Sequence, residues 1–197
     1  MIYLARHGET EWNRDQRFQG QLDSPLTRRG LEQARRMGET LVRRIRERAG
    51  WTIIASPLGR ALHTARIIAG ILGIAEASIE TDSRLAEVDF GSWAGLGHED
   101  IEACSPGTLD GATQYDWFFR APDGETYEAM RGRVAAFLAA AGAREKLIVV
   151  THGVTGRILR GLYLGLSKEG GLELEAPQDA IFRLSGGAVE RVPCLHR

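Results

Sequence analysis

Lysine is almost missing from this chain. Of 25 basic residues only Lys146 and Lys168 are lysine, and the rest are arginine. Beside 24 glycines, that bias reads as a GC-rich coding sequence rather than a functional choice. A charge excess of either sign is missing too: a formal net charge of -1 leaves no global attraction to nucleic acid or an anionic membrane. Cys104 and Cys194 stand far apart and fit no CxxC pattern, which argues against a disulfide framework or a zinc knuckle. No apolar run approaches a membrane span, and no signal-peptide pattern precedes the first strand. A cytoplasmic protein with free thiols is expected. Repeats, linkers and low-complexity stretches are also missing, so residues 1–197 are expected to form one domain.

What is present begins at once. Ile2 to Ala5 is a short apolar run of strand formers that turns polar at Arg6-His7-Gly8. A buried strand with that ending places a guanidinium and an imidazole at its carboxyl end, where open α/β sheets bind ligands. Gly8 adds no side chain beside His7, so a ligand can approach the backbone closely. Arg6 offers a planar fork of donors suited to phosphate or carboxylate. A neutral imidazole beside it can attack an anion held there. Thr10 and Asn13 add neutral donors. For so short a motif the plain alternative is a structural, hydrogen-bonded histidine.

Residues 14–26 read as a loop that keeps Gln19-Gly20 and Ser24-Pro25-Leu26 near that strand end. Thr27 reads as the N-cap of a long helix ended by Gly50, with Leu31, Ala34, Gly38, Leu41, Val42 and Ile45 on its apolar face. The other face carries Arg28, Arg29, Arg35, Arg36, Arg43, Arg44, Arg46 and Arg48. Glu32, Glu39 and Glu47, spaced i,i+4 from arginines, make it a solvated, ion-paired face rather than a nucleic-acid stripe. Thr52 to Ala55 is a second strand, and Ser56-Pro57 predicts an N-cap followed by proline at the first helical position. Arg60 then falls in the first helical turn, where backbone donors and a guanidinium converge on an anion. His63 and Arg66, further along, read as structural. Residues 79–91 are irregular. Residues 92–125 carry Trp93, Tyr115, Trp117 and Phe118, with a short helix near His98–Cys104, and read as a cap insertion. A helix over 125–141 precedes a strand over 146–151, which ends in His152-Gly153 and runs straight into a helix over 154–164. A hairpin, 180–184 with 188–192 around Gly186-Gly187, would edge the sheet.

Strands alternating with helices predict a three-layer α/β/α sandwich with a mostly parallel central sheet and a small helical cap insertion. The strand ends then gather Arg6, His7, Arg60 and His152, a pocket for a dianion. A metal held by His7 and His152 is the rival reading. Two flanking arginines would repel a dication, and no acid or cysteine stands at a matching strand end, so no metal is expected.

Together these motifs resemble the histidine phosphatase superfamily. Arg6-His7-Gly8-Glu9-Thr10 with Trp12-Asn13, then Gln19-Gly20, Asp23-Ser24-Pro25-Leu26-Thr27 and Gly30 are similar to its opening. Ser56-Pro57-Leu58-Gly59-Arg60-Ala61 with Thr64-Ala65 resembles the second motif. Leu85, Glu87, Phe90-Gly91 and Trp93 resemble the third, and Thr151-His152-Gly153 the fourth. The resemblance implies that His7 becomes a phosphohistidine, with Arg6, Arg60 and His152 holding the transferring oxygens. Asn13, Thr10, Gln19, Gly20 and Gly153 would complete substrate binding. Glu87 would protonate the leaving oxygen and then activate water, a role that apolar neighbours such as Leu85 and Phe90 could support; Asp89 competes for it. No cofactor is implied.

Cofactor-dependent phosphoglycerate mutases resemble the same opening but carry a longer insertion with basic substrate residues. Here residues 92–119 contain no lysine or arginine, which favours hydrolysis of small phosphorylated metabolites. Mutase-type transfer is the alternative, and a non-catalytic phosphate-binding relative the second. Ala94 and Thr126 depart from the usual Glu and Ser. The partner expected is a small phosphorylated substrate, with no nucleic acid and no membrane; a homodimer stays open.

Overall fold

The computed structural model describes residues 1–47 and 49–194. Arg48, assigned above to the polar face of the long helix, and the expected domain end at 197 lie outside the described residues. The chain runs β1 (Ile2–Arg6), α1 (Glu11–Arg14), α2 (Arg28–Arg44), β2 (Thr52–Ala55), α3 (Gly59–Leu72), β3 (Glu80–Thr81) and α4 (His98–Cys104). It continues through α5 (Tyr127–Ala141), β4 (Leu147–Thr151), α6 (Gly153–Leu164), α7 (Lys168–Leu172), β5 (Ala180–Ser185) and β6 (Ala188–Pro193).

The strands form one sheet in the order β3-β2-β4-β1-β5-β6. The β3-β2, β2-β4 and β4-β1 pairs are parallel; β5 and β6 add an antiparallel hairpin edge. Alternation along each strand sends side chains to two cores. Tyr3, Ala5, Ile53, Ala55, Ile148 and Val150 pack with the apolar faces of α2 and α3. Ile2, Leu4, Ile54, Leu147 and Val149 pack with α5, α6 and the segment over 92–125. All five residues of β4 are buried, as a strand covered on both faces requires. The α/β/α layering matches the sequence expectation. No helix among the described residues is long and apolar enough to cross a membrane.

Three local expectations need correction. The first long helix stops at Arg44, not Gly50, because Ile45 leaves the helical conformation and buries its side chain beside Met37 and Leu41. The helix after β2 starts at Gly59 with Leu58 at its N-cap, so Ser56 is not the cap. The Ser56 hydroxyl instead lies 2.7 Å from His152 Nε2. Residues 79–91, read as irregular, contain the two-residue strand β3, too short and polar to signal itself. Thr27 does cap α2, its Oγ1 accepting from Gly30 N–H at 3.0 Å.

Backbones pass unusually close where β1 leaves the sheet. A Cβ on Gly30 would lie 2.0 Å from Glu9 O, and one on Gly8 2.3 Å from Gly30 O. Gly132, inside α5, has open space around its Cα. Gly30→Ala is therefore expected to destabilise the fold by about 1–3 kcal/mol through forced backbone shifts. Gly132→Ala is expected to stabilise it by about 0.5–1 kcal/mol, the helix-propensity gain. Urea unfolding of the two variants checks both; equal stabilities would mean that the close approach does not constrain this loop.

Candidate active site

The register of β1 against β4 sets the site. Arg6 stands opposite Thr151, and His7 N–H donates to Thr151 O at 2.9 Å, so the residues following each strand emerge side by side. Their imidazole centroids are 5.2 Å apart. Gly8 N–H donates to Thr64 Oγ1 on α3 at 3.1 Å, tying the turn after β1 to the second motif.

His7 is 3% exposed, and its Nδ1 lies 2.7 Å from Gly8 O. A carbonyl can only accept, so Nδ1 carries the proton and Nε2 keeps its lone pair. Arg60 Nε–H points at that lone pair from 3.3 Å. Burial, then Arg60 and Arg6, hold the His7 pKa well below the usual 6.5. His152 is likewise pushed well below 6.5, by burial and then by Arg60, His7 and Arg6. Both rings are neutral at physiological pH, embedded among cations.

Arg60 is 2% exposed and donates to Gly20 O at 2.7 Å, Leu22 O at 2.6 Å and Asp23 Oδ1 at 3.0 Å. Asp23 also accepts from Arg60 N–H at 3.2 Å, so a carboxylate from a distant loop caps α3. Arg6 donates one bond, from NH1 to Ala176 O at 2.7 Å, while its buried Nε has no partner. Burial lowers the pKa of both guanidinium groups.

Glu87 stands at the start of α6. Its carboxylate accepts from Val154 N–H and Thr155 N–H, each at 3.1 Å, and from Thr155 Oγ1 and Val88 N–H, also at 3.1 Å. These are donors and a helix N-terminus, not the apolar surroundings expected from Leu85 and Phe90. Leu85 is wholly buried in the core. Asp89 is turned into its own loop, accepting from Gly91 N–H at 2.9 Å, and does not line the cavity.

A cavity of about 220 Å³ opens over this cluster. Arg6, His7, Asn13, Gln19, Gly20, Arg60, Glu87 and Gly153, all candidate site residues, line it. Two predicted members lie outside its wall. Thr10 is fully buried, caps α1 by accepting from Asn13 N–H at 3.1 Å, and takes a bond from Gln19 Nε2 at 2.8 Å. His152 stands beside His7, ring centroids 5.2 Å apart, and its Nδ1 is buried without a partner. Asn13 Oδ1 accepts from Thr10 N–H and Gln178 Nε2, leaving Nδ2 as its available donor. The unpartnered atom of Gln19 is Oε1, an acceptor, which suits a hydroxyl better than a phosphate oxygen.

Several residues escaped the sequence reading. Arg17 and Arg157 both line the cavity, so its mouth is basic although residues 92–119 are not. Arg157 follows Gly153 by four residues on one helix, a spacing that places both on one face and was the available signal. Gln178 donates to His7 O at 3.2 Å, and Ser56 holds His152; neither has a signal in local sequence. From 92–125, Trp117 and Phe118 line the mouth with Phe18 and Phe90, whereas Trp93 is core. Among the described residues no group of three or more His, Cys, Asp or Glu is arranged to hold a metal ion.

The sequence pattern of the histidine phosphatase superfamily (branch 1) matches residues 2–188. Over 181 residues the chain is 39% identical to the probable phosphoglycerate mutase GpmB of Salmonella arizonae, a match covering 84% of this chain and 75% of that one. It is similar to the alpha-ribazole phosphatase of Shigella flexneri at 25% identity and a TM-score of 0.80, over 98% of this chain and 95% of that one. A mycobacterial glucosyl-3-phosphoglycerate phosphatase in complex with VO3 is similar at 28% identity and a TM-score of 0.73, over 92% and 90%.

The two buried neutral histidines make stability depend on pH with a definite sign. Their native pKa values lie below the unfolded value of about 6.5, so acidification protonates the unfolded chain first. Stability is intact above about pH 6.5 and falls below it, by roughly 1.4 kcal/mol per pH unit for each histidine. His7→Gln should remove one histidine's share of that slope below about pH 6, read from urea unfolding between pH 7.5 and 5. An unchanged slope would mean that native His7 is already protonated.

Proposed function

The chain belongs to the histidine phosphatase superfamily, and from that premise we propose that it hydrolyses small phosphomonoesters through a phosphohistidine at His7. The observation that carries this reading is the His7 tautomer: Nδ1–H is given to Gly8 O, and Nε2 is left as a lone pair beside Arg60 and Arg6. A protonated imidazole could not attack, and a cation-free one would have no anion to attack.

In the first step Nε2 bonds to phosphorus in line with the departing ester oxygen. Arg6, Arg60 and Asn13 Nδ2 bind the equatorial oxygens and offset their charge. The orphaned donors, Arg6 Nε and a proton on His152 Nδ1, are satisfied by the same oxygens. Ser56 supports that His152 tautomer: its hydroxyl oxygen accepts from Leu58 N–H, so its own proton is free for His152 Nε2. Glu87, in its acid form, gives a proton to the leaving oxygen. In the second step it takes a proton from water, whose oxygen attacks phosphorus and releases His7 and inorganic phosphate. No metal or organic cofactor enters either step.

Mutase-type transfer is the second reading, favoured by Arg17 and Arg157 at the mouth, which could hold an acidic substrate while it turns. Incubation with 3-phosphoglycerate separates the two: release of free phosphate supports hydrolysis, and conversion to the 2-phospho isomer supports transfer.

The covalent step is tested by rapid quench with radiolabelled substrate in EDTA. An acid-labile, base-stable adduct on His7 is expected, and His7→Ala should abolish turnover while remaining folded. Turnover with label on serine, or with none trapped, would overturn the mechanism. Binding without any turnover would favour a non-catalytic phosphate binder.

Glu87 generates a separate prediction. Glu87→Gln should slow phosphorylation most with alkyl phosphates, by about two to four powers of ten, and least with p-nitrophenyl phosphate. Single-turnover kinetics isolate that step. Asp89→Asn, whose carboxylate faces its own loop, should show a small effect that is independent of the leaving group. Equal losses on both substrate classes in Glu87→Gln would place the proton donor elsewhere.

A further inference from the structure

The cavity holds more positive charge than one phosphate group requires. Arg6, Arg17, Arg60 and Arg157 line it against the single carboxylate of Glu87. Three of these cations have protein acceptors. Arg6 donates to Ala176 O, Arg60 to two carbonyls and Asp23, and Arg17 Nε to Gly95 O at 2.7 Å while lying over the Trp12 ring. Arg157 is the exception. Among the described residues none accepts a hydrogen bond from it or forms an ion pair with it, and its buried Nε has no partner. Its one aromatic neighbour is Tyr115, 5.8 Å from the guanidinium carbon.

Arg160 shows what a structural arginine on the same helix looks like. It donates to Gly156 O and Glu175 O and stacks over Phe182 at 3.7 Å. Arg157, three residues earlier, has none of this and faces the cavity instead. Burial lowers its pKa while nearby Glu87 raises it. An uncompensated cation partly withdrawn from water is costly to keep unless an anion meets it.

Its position says which part of a substrate that anion belongs to. Glu87 is anchored on Val154 and Thr155 N–H, two to three residues before Arg157. At 1.5 Å per residue that is an axial separation of about 3–5 Å. That spacing is between backbone positions; the side chains of Glu87 and Arg157 both line the one small cavity, so a leaving group released beside Glu87 shares it with the Arg157 guanidinium. The cavity, at about 220 Å³, is also smaller than the roughly 300–1,000 Å³ of drug-sized sites.

We infer that Arg157 forms a second anion subsite, which selects phosphomonoesters whose leaving group carries a carboxylate or a second phosphate within a few atoms of the scissile oxygen. The inference rests on the hydrolase reading above and adds the class of substrate.

The test compares matched substrates. 3-Phosphoglycerate and glycerol 3-phosphate share a skeleton and differ by the carboxylate. 1,3-Propanediol bisphosphate and 1,3-propanediol monophosphate differ by a second phosphate three carbons from the first. The wild-type protein should prefer the more anionic member of at least one pair by about 10- to 100-fold in kcat/KM, the worth of a hydrogen bond to a charged group. The pair that shows the preference identifies the anion. Arg157→Met should shrink that ratio to about twofold, and Arg157→Lys should restore part of it. Wild-type indifference in both pairs, or equal losses on both members in Arg157→Met, would overturn the subsite. If no phosphomonoester is turned over, p-nitrophenyl phosphate included, the hydrolase reading fails on its own. Calorimetric binding of 3-phosphoglycerate, glycerol 3-phosphate and the propanediol phosphates to His7→Ala, with and without Arg157→Met, then decides the subsite without turnover: a preference for the more anionic member that is lost with Arg157 supports it, and equal affinities overturn it.

Discussion

The buried guanidinium of Arg60 is the contact on which the rest of the site depends. From the first turn of α3 it reaches the loop carbonyls of Gly20 and Leu22, the Asp23 carboxylate and the His7 lone pair. One side chain thus fixes the loop after α1 and His7 after β1 in a single frame. The cost is a cation held 2% exposed, and Asp23 offsets it only in part, since its own side chain remains 40% exposed. Carbonyl dipoles supply most of the remaining partners, so the guanidinium keeps a net positive field directed at the cavity. Gly59 makes this arrangement possible, because a Cβ there would come within 2.2 Å of Asp23 Oδ2.

That positive field explains why the two histidines are neutral, and why neutrality serves the site. Arg6 and Arg60 disfavour a further proton on either ring, and burial acts in the same direction. The positive charge of the site therefore resides on groups that cannot be deprotonated, while His7 keeps its lone pair. On the proposed mechanism, protonated histidines would add attraction and remove the nucleophile. Among the described residues, three buried side-chain atoms of the cavity lining, Arg6 Nε, Gln19 Oε1 and Arg157 Nε, lack partners, as does His152 Nδ1 beside His7. Such atoms are rare in folded proteins, and their proximity marks where an outside ligand would complete the bonding.

What was legible in the sequence was whatever a strand end or a helix start announces. Arg6-His7-Gly8, Arg60 and His152-Gly153 stand where an apolar run breaks into polar residues, and the parallel sheet then brings them together without further information. Glu87 was legible only through resemblance, since no periodic element carries it. Its surroundings were misread for a physical reason. Leu85 and Phe90 are neighbours in sequence, but the carboxylate turns to α6, whose N–H groups come from a segment some 67 residues later. Ser56 was misread because a serine before proline suits a helix cap, and only the tertiary fold shows its hydroxyl turned to His152. Thr10 was grouped with substrate donors although its hydroxyl is occupied in capping α1. Gln178 and the Ala176 carbonyl come from a loop whose sequence has no pattern; the Arg160 bond to Glu175 O holds that loop in place.

The same distinction bears on how the site separates charge from shape. The cap over 92–125 carries no cation up to Arg120, whose guanidinium is turned to the Asp110 carbonyl. Its contribution to the cavity is Gln114, Trp117 and Phe118, and the Trp117 ring rests on Phe18 at 4.3 Å and on Phe90 at 5.7 Å. The cations come from β1, α3, α6 and the loop after α1, elements fixed to the sheet. A neutral cap therefore does not make a neutral mouth, and the low charge of residues 92–119 cannot by itself distinguish hydrolysis from transfer. The positive charge is thus placed on the rigid layer, where packing on the sheet holds its geometry. Recognition of shape is left to an aromatic surface from a segment with little regular structure, where substitution alters contacts without moving the arginines. On the proposed reading, a change of substrate proceeds through the cap, while the charge requirement stays with Arg157 on α6.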